Sequence, residues 1–224
     1  MKSDIRGTLK SVFHVGPGFG KKTAAIIVTE ILTGLFLSFL VEVNFGTDPC
    51  STLSVVISDR FGILMGTWNV IFNLCLFVAV FALSGFRYFG VGTLANMTLI
   101  GYACDFGRWF FRRILPDFLF TQFPARGITY ACALLGFITC CGVYMNMDAG
   151  LVPYDAIPLI ISQHLPRVPF TLVRMCYDFS VIGIAALLGG RVPVGCFLMA
   201  LFLGPVIGGV GRWMSRSVPG GAGA

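Results

Sequence analysis

Residues 24–60 read AAIIVTEILTGLFLSFLVEVNFGTDPCSTLSVVISDR, and the order of events in that stretch decides the fold. Ala24 to Val43 is apolar almost throughout, with Glu30 and Glu42 its only charges. About twenty helical residues cross the roughly 30 Å of bilayer hydrocarbon, so this run predicts a transmembrane helix. Then come Gly46-Thr47-Asp48-Pro49 and a second apolar run, 49–60, too short to cross as a helix. Proline suits the first turn of a helix, where its missing N–H would lack a partner anyway. One full span, an irregular entrance and a short proline-led helix are expected.

The same order returns further along. Long apolar stretches cover 66–84, 89–107, 127–147, 168–188 and 193–213, and a second short one covers 153–163 behind Gly150-Leu151-Val152-Pro153. Gly46, Pro49 and Ser58 recur at one constant spacing as Gly150, Pro153 and Ser162. Gly92 and Gly101 recur as Gly195 and Gly204, with one residue lost, and Gly34 and Gly136 fall alike in their spans. Shared hydrophobicity does not align glycines and prolines, so the chain reads as two internal repeats. The expected fold is an all-α, polytopic transmembrane helix bundle. A basic cytoplasmic leader (1–23) precedes repeat 1 (24–107); a basic cytoplasmic loop (108–126), repeat 2 (127–213) and a flexible tail (214–224) follow.

Composition excludes the soluble alternatives. The chain is 56% hydrophobic and only 12% charged, against about 25% charged in soluble domains. Its main partner is therefore the lipid bilayer. The net charge of +6 comes from Lys and Arg at the ends of apolar stretches, which suits headgroups and orientation, not nucleic acid. Eight cysteines lie mostly within apolar runs, form no C-x-x-C pair and have only His14 and His164 for company. They read as packing residues, and no metal or other cofactor is expected. Gly16 to Thr23 lacks the spacing of a phosphate loop, and no nucleophile–base set appears, so no enzyme is expected. The first apolar run is too long for a cleaved signal peptide and reads as a retained span.

Orientation depends on the short segments. If they cross, there are eight crossings, the halves are parallel, and only Arg87 and Arg191 are left outside. If they dip in and return, there are six crossings, the halves are inverted, and the Arg-rich 108–126 loop faces outside. The positive-inside rule favours eight, with both termini cytoplasmic.

Candidate site residues follow from polar groups at membrane depth. Irregular backbone there survives only when protein or a hydrated cavity satisfies it. Paired, Gly/Pro-interrupted short segments point to a transport site. Asp48, Pro49, Pro153 and Asp155 stand at those helix starts, which suit an anionic or carbonyl-bearing ligand; Asp48 and Asp155 could equally serve as caps. Arg174 and Asp178 are four apart and can pair on one helix face, and Asn69 and Asn73 repeat that spacing in the first half. Glu30 is either a proton-coupling carboxyl or a partner for Lys21 or Lys22. Gly204 and Gly208 permit close helix approach within the chain.

One set of motifs runs through both halves: Gly46-Thr47-Asp48-Pro49, Gly92-Thr93 with Gly101 and Asp105, Gly150-x-x-Pro153-Tyr154-Asp155, Arg174, Gly189-Gly190, Gly195 and Gly204-Pro205. Together these resemble the YczE/YyaS/YitT family of bacterial membrane proteins. The chain looks more similar to the YczE-like members than to the YitT-like ones, which carry a soluble C-terminal domain. The resemblance implies a multi-pass protein of the bacterial cell (inner) membrane and carries over no functional residue. The expected function is a small-molecule transporter or permease-like protein with its site between the repeats. The competing expectation is a non-transporting scaffold or assembly factor for a neighbouring enzyme system.

Overall fold

A computed structural model describes residues 19–201, apart from Arg87, Asn146, Asp148, Ala149 and Pro166. The helices are α1 (Phe19–Val43), α2 (Pro49–Phe61), α3 (Met65–Ser84), α4 (Val91–Ile114), α5 (Phe118–Thr121), α6 (Ala125–Met145), α7 (Pro153–His164) and α8 (Phe170–Leu187). Residues 194–201 are helical too. All regular structure among the described residues is helix. The leader before Phe19, the rest of the last expected span with Gly204, Pro205 and Gly208, and the tail lie outside the described residues.

Four helices, α1, α3, α6 and α8, are long and apolar enough to cross a membrane. Their outward side chains agree, since Leu83, Leu135 and Leu187 keep 68%, 68% and 89% of their surface exposed. α4 is as long, with 24 residues, and it extends past the expected boundary at 107. Arg108, Arg112 and Arg113 are therefore on a helix, not in a loop. Glu42 at the end of α1 accepts from Nε of both Arg108 and Arg112, one turn apart on this extension of α4.

The two largest apolar clusters among the described residues lie around α1 and between α3 and α8. Leu37, Leu40, Met65, Cys104, Ala133 and Phe137 fill the space around α1, which packs between α4 and α6. Leu53, Val56, Ile57, Tyr154, Val181 and Ala185 fill a second layer, where α2 and α7 each pack against both α3 and α8. The eight cysteines are all free.

Helix directions follow from contacts at the ends. α1 starts at one end of the bundle, here the near end, and finishes at the far end. Arg126, at the start of α6, donates to Val43 O at the end of α1, through Nε at 3.0 Å and Nη2 at 2.6 Å. Ile26 near the start of α1 clusters with Tyr144 near the end of α6. α1 and α6 are thus antiparallel. α4 runs with α1, since Asn96 reaches Glu30 and Arg108 reaches Glu42. α3 runs against α4, its first amides donating to Asp105 at 3.2 and 2.7 Å.

The short helices turn back. α2 ends at Arg60, which lines one far-end cavity together with Glu42 and Arg112, and Arg60 Nη1 donates to Leu188 O just past α8 at 2.7 Å. The chain thus leaves α1 at the far end, moves inward to Pro49 and returns to the far end along α2. α7 does the same from the near end: Gln163 in its last turn bonds Tyr88, between α3 and α4, at 2.9 Å. Among the described residues four helices, and neither short one, have the length and hydropathy of a span, so eight crossings are not confirmed. Helices of 13 and 12 residues reach only about 20 Å, and each starts inside the bundle instead of at the opposite face.

Both inward turns depend on glycine. Gly46 has φ +135°, and a Cβ there would lie 2.3 Å from Cys196 N. Gly150 has φ +99°, and its Cβ would lie 2.5 Å from Gly90 N. Backbone bonds close both joints, Gly195 N to Phe45 O at 3.0 Å and Leu151 N to Tyr88 O at 2.8 Å.

Candidate functional site

The tips of α2 and α7 meet between α3 and α8. Cys50, in the first turn of α2, packs on the cluster that holds Val152 and Tyr154 at the start of α7. Pro49 and Pro153 occupy the first helical positions and are fully buried. Asp48, Asp155, Arg174 and Asp178 all lie within electrostatic reach of Cys50. The structure thereby brings six of the eight expected site residues to one locus.

Arg174 organises the α7 side. Its Nη1 donates to Asp155 Oδ1 at 2.6 Å and its Nε to Asp178 Oδ2 at 3.0 Å. Tyr154 Oη donates to the other Asp178 oxygen at 2.7 Å, and the guanidinium stands 5.3 Å from the centre of the Tyr154 ring. Asp178 is buried, whereas the Arg174 and Asp155 side chains keep 20% and 34% exposure. The cluster is deep without being sealed. Two carboxylates share one cation there, which keeps the charges compatible with burial.

The α2 side is built locally. Asp48 is the N-cap, its Oδ2 accepting from Ser51 N at 3.0 Å. Its Oδ1 is buried and has no partner among the described residues. Thr47 and Thr52 join hydroxyls at 2.9 Å behind it, and Thr52 also meets Cys196 Sγ at 3.2 Å.

Asn69 and Asn73 form a pair but stay apart from this locus. Asn73 Nδ2 donates to Asn69 Oδ1 at 2.9 Å, and Asn69 Nδ2 donates to Met97 O of α4 at 3.2 Å. Among the described residues no hydrogen bond or ion pair joins them to Arg174. The strip expected to face the same site meets α4 through Asn69, and Asn73 Oδ1 is buried with no partner among the described residues. Glu30 meets Asn96, at 3.3 Å from each oxygen.

Sequence reasoning missed two contributors. The Tyr154 hydroxyl sits beside a residue that was singled out, and only the fold shows that it reaches Asp178. Glu42 ties α1 to two arginines of α4, a pairing for which the Arg108–Arg112 spacing was the available signal. No group of metal-ligating side chains occurs among the described residues.

Residues 20–212 match the Family of unknown function (DUF6198). No match was found among curated proteins or among solved structures.

Proposed function

This chain belongs to the DUF6198 family, and we propose that it acts as a small-molecule transporter of permease type in the bacterial cell (inner) membrane. In this reading the two halves are inverted repeats, kin to the YczE-like proteins, each with three crossings and one re-entrant short helix. The near end, with Lys21, Lys22 and Arg167, faces the cytoplasm. Reciprocal joints support the repeat: Gly46 packs at the start of the last helix of the second half, and Gly150 at the start of the last helix of the first. The far-end arginines are poor orientation signals, because Arg60, Arg108, Arg112 and Arg126 are each bound to acceptors of the protein itself.

The observation that carries the proposal is Asp48 Oδ1, buried with no partner among the described residues where two short, proline-led helices meet the Asp155–Arg174–Asp178 cluster. Buried acceptors are nearly always satisfied, and irregular backbone at membrane depth lines transport sites. With no nucleotide motif, an ion gradient or an external partner supplies the energy. The test is uptake by proteoliposomes of labelled amino acids, carboxylates and sugars under proton and sodium gradients. Uptake should disappear in Asp48→Asn and Arg174→Ala and persist in Leu135→Ala, on the outer surface. Equal uptake by all variants and by empty liposomes would remove the assignment.

One observation favours the scaffold reading. Each carboxylate of the cluster already has a partner within the protein: Ser51 for Asp48, Arg174 for Asp155, Arg174 and Tyr154 for Asp178. That reading expects no uptake and a stoichiometric protein partner on purification from native membranes.

A further inference from the structure

At the far end a cavity of about 550 Å³ opens between the ends of α1, α2, α4 and α8. Its size falls within the roughly 300–1,000 Å³ of small-molecule sites. Four arginines line it, Arg60, Arg108, Arg112 and Arg191, against two acids, Glu42 and Asp59. Cations therefore exceed anions at the wall.

The guanidinium groups are positioned and incompletely used. Glu42, whose side chain is only 4% exposed, binds Arg108 and Arg112 through their Nε atoms. Their terminal nitrogens have no acceptor among the described residues. Arg60 spends Nη1 on Leu188 O, and Arg191 has no acceptor among the described residues. A buried carboxylate that fixes two forks and leaves their outer N–H groups open is a receptor geometry for paired oxygens.

The cavity also leads inward. A smaller pocket of about 40 Å³ shares Val41, Asn44, Val55, Val56 and Arg191 with it and continues to Gly46, Thr47 and Thr52. Those last residues adjoin Asp48.

We infer that this arginine-lined cavity binds a small oxyanion through carboxylate or phosphate oxygens and is the far-end mouth of the path to the helix tips. The inference rests on the transport reading for its role as a mouth, while the binding itself stands on the cavity. An anionic lipid headgroup offers the same oxygens as a free solute, so the test separates the two.

The experiment uses the full chain in nanodiscs of zwitterionic lipid, with inorganic phosphate and succinate as probes and chloride at matched ionic strength as control. Either probe should raise the Tm saturably where chloride does not. Arg191→Gln should weaken the apparent affinity at least tenfold at an unchanged starting Tm, because Arg191 holds nothing in place; Arg191→Lys should restore part of it. In nanodiscs containing phosphatidylglycerol, a retained rise assigns the cavity to a soluble anion. A suppressed rise, with phosphatidylglycerol released by Arg191→Gln, assigns the same oxygens to a headgroup. No saturable rise in zwitterionic discs, or one undiminished by Arg191→Gln, overturns the inference. Uptake in proteoliposomes without such binding rejects the oxyanion mouth and leaves transport standing; binding without uptake does the reverse.

Discussion

α2 and α7 share a plan and differ in how their starts are neutralised. Each begins with a buried proline behind a glycine of positive φ, and each returns to the end of the bundle from which it was entered. α2 is capped by its own chain, Asp48 reaching Ser51 N three residues on. α7 has Val152 at the N-cap with no side-chain bond, and its first-turn Asp155 is held by Arg174 from the next helix. A local cap secures one helix whatever its neighbours do. A long-range ion pair makes the other helix, and the charge beside it, dependent on how α7 and α8 dock. The α7 side is thus the one whose geometry a conformational change can alter.

The test with the largest effect asks whether the two helices turn back at all. In a cysteine-free background, Asp59→Cys and Arg112→Cys should react with an impermeant maleimide from one side of the membrane, and His164→Cys only from the other. The contrast is all or none; labelling of the first two from opposite sides would break the comparison.

Next is the ion pair. Arg174→Ala strands Asp155 and Asp178, and a broken buried pair costs about 3–5 kcal/mol. Thermal unfolding of the purified protein should show a large loss, partly recovered when Asp178→Asn is added. A loss under about 1 kcal/mol would mean that water already neutralises the cluster.

Gly46→Ala and Gly150→Ala sharpen the likeness of the two entrances. Backbone strain and a Cβ forced onto backbone atoms together cost about 3 kcal/mol. Both variants should fall similarly in folded yield by detergent gel filtration, while Gly183→Ala, where a Cβ meets nothing within 4 Å, should not fall. The smallest effect belongs to the local cap. Asp48→Ala should cost about 1 kcal/mol by the same thermal measurement, and Asp48→Asn, which can still accept from Ser51 N, less. A cost for Asp48→Ala near that of Arg174→Ala would show that Asp48 is more than a cap.

Much of this architecture was readable beforehand. The expected short helices, 49–60 and 153–163, differ from the observed ones by a single residue, because proline sets the start and the apolar run sets the length. The Arg174–Asp178 and Asn69–Asn73 pairs follow from helical spacing alone. The course of the short helices did not, because arginines were counted as free charges. Arg126 instead caps the end of α1, and Arg108 and Arg112 clasp Glu42. Hydrophobicity and spacing also could not say which way the Asn69–Asn73 strip faces, since that depends on α4 approaching closely enough for Gly101 to pack on Gly66.

By itself the sequence determined the helices, their apolar surfaces and the cap of α2, because these depend on residues within a few positions of each other and on the cost of exposing apolar groups to water. Tertiary structure alone decided that the short helices turn back, that their tips share one polar cluster, and that four arginines from three parts of the chain surround one cavity. Those outcomes rest on contacts between residues up to more than a hundred positions apart. No local pattern encodes such distances until the chain has packed.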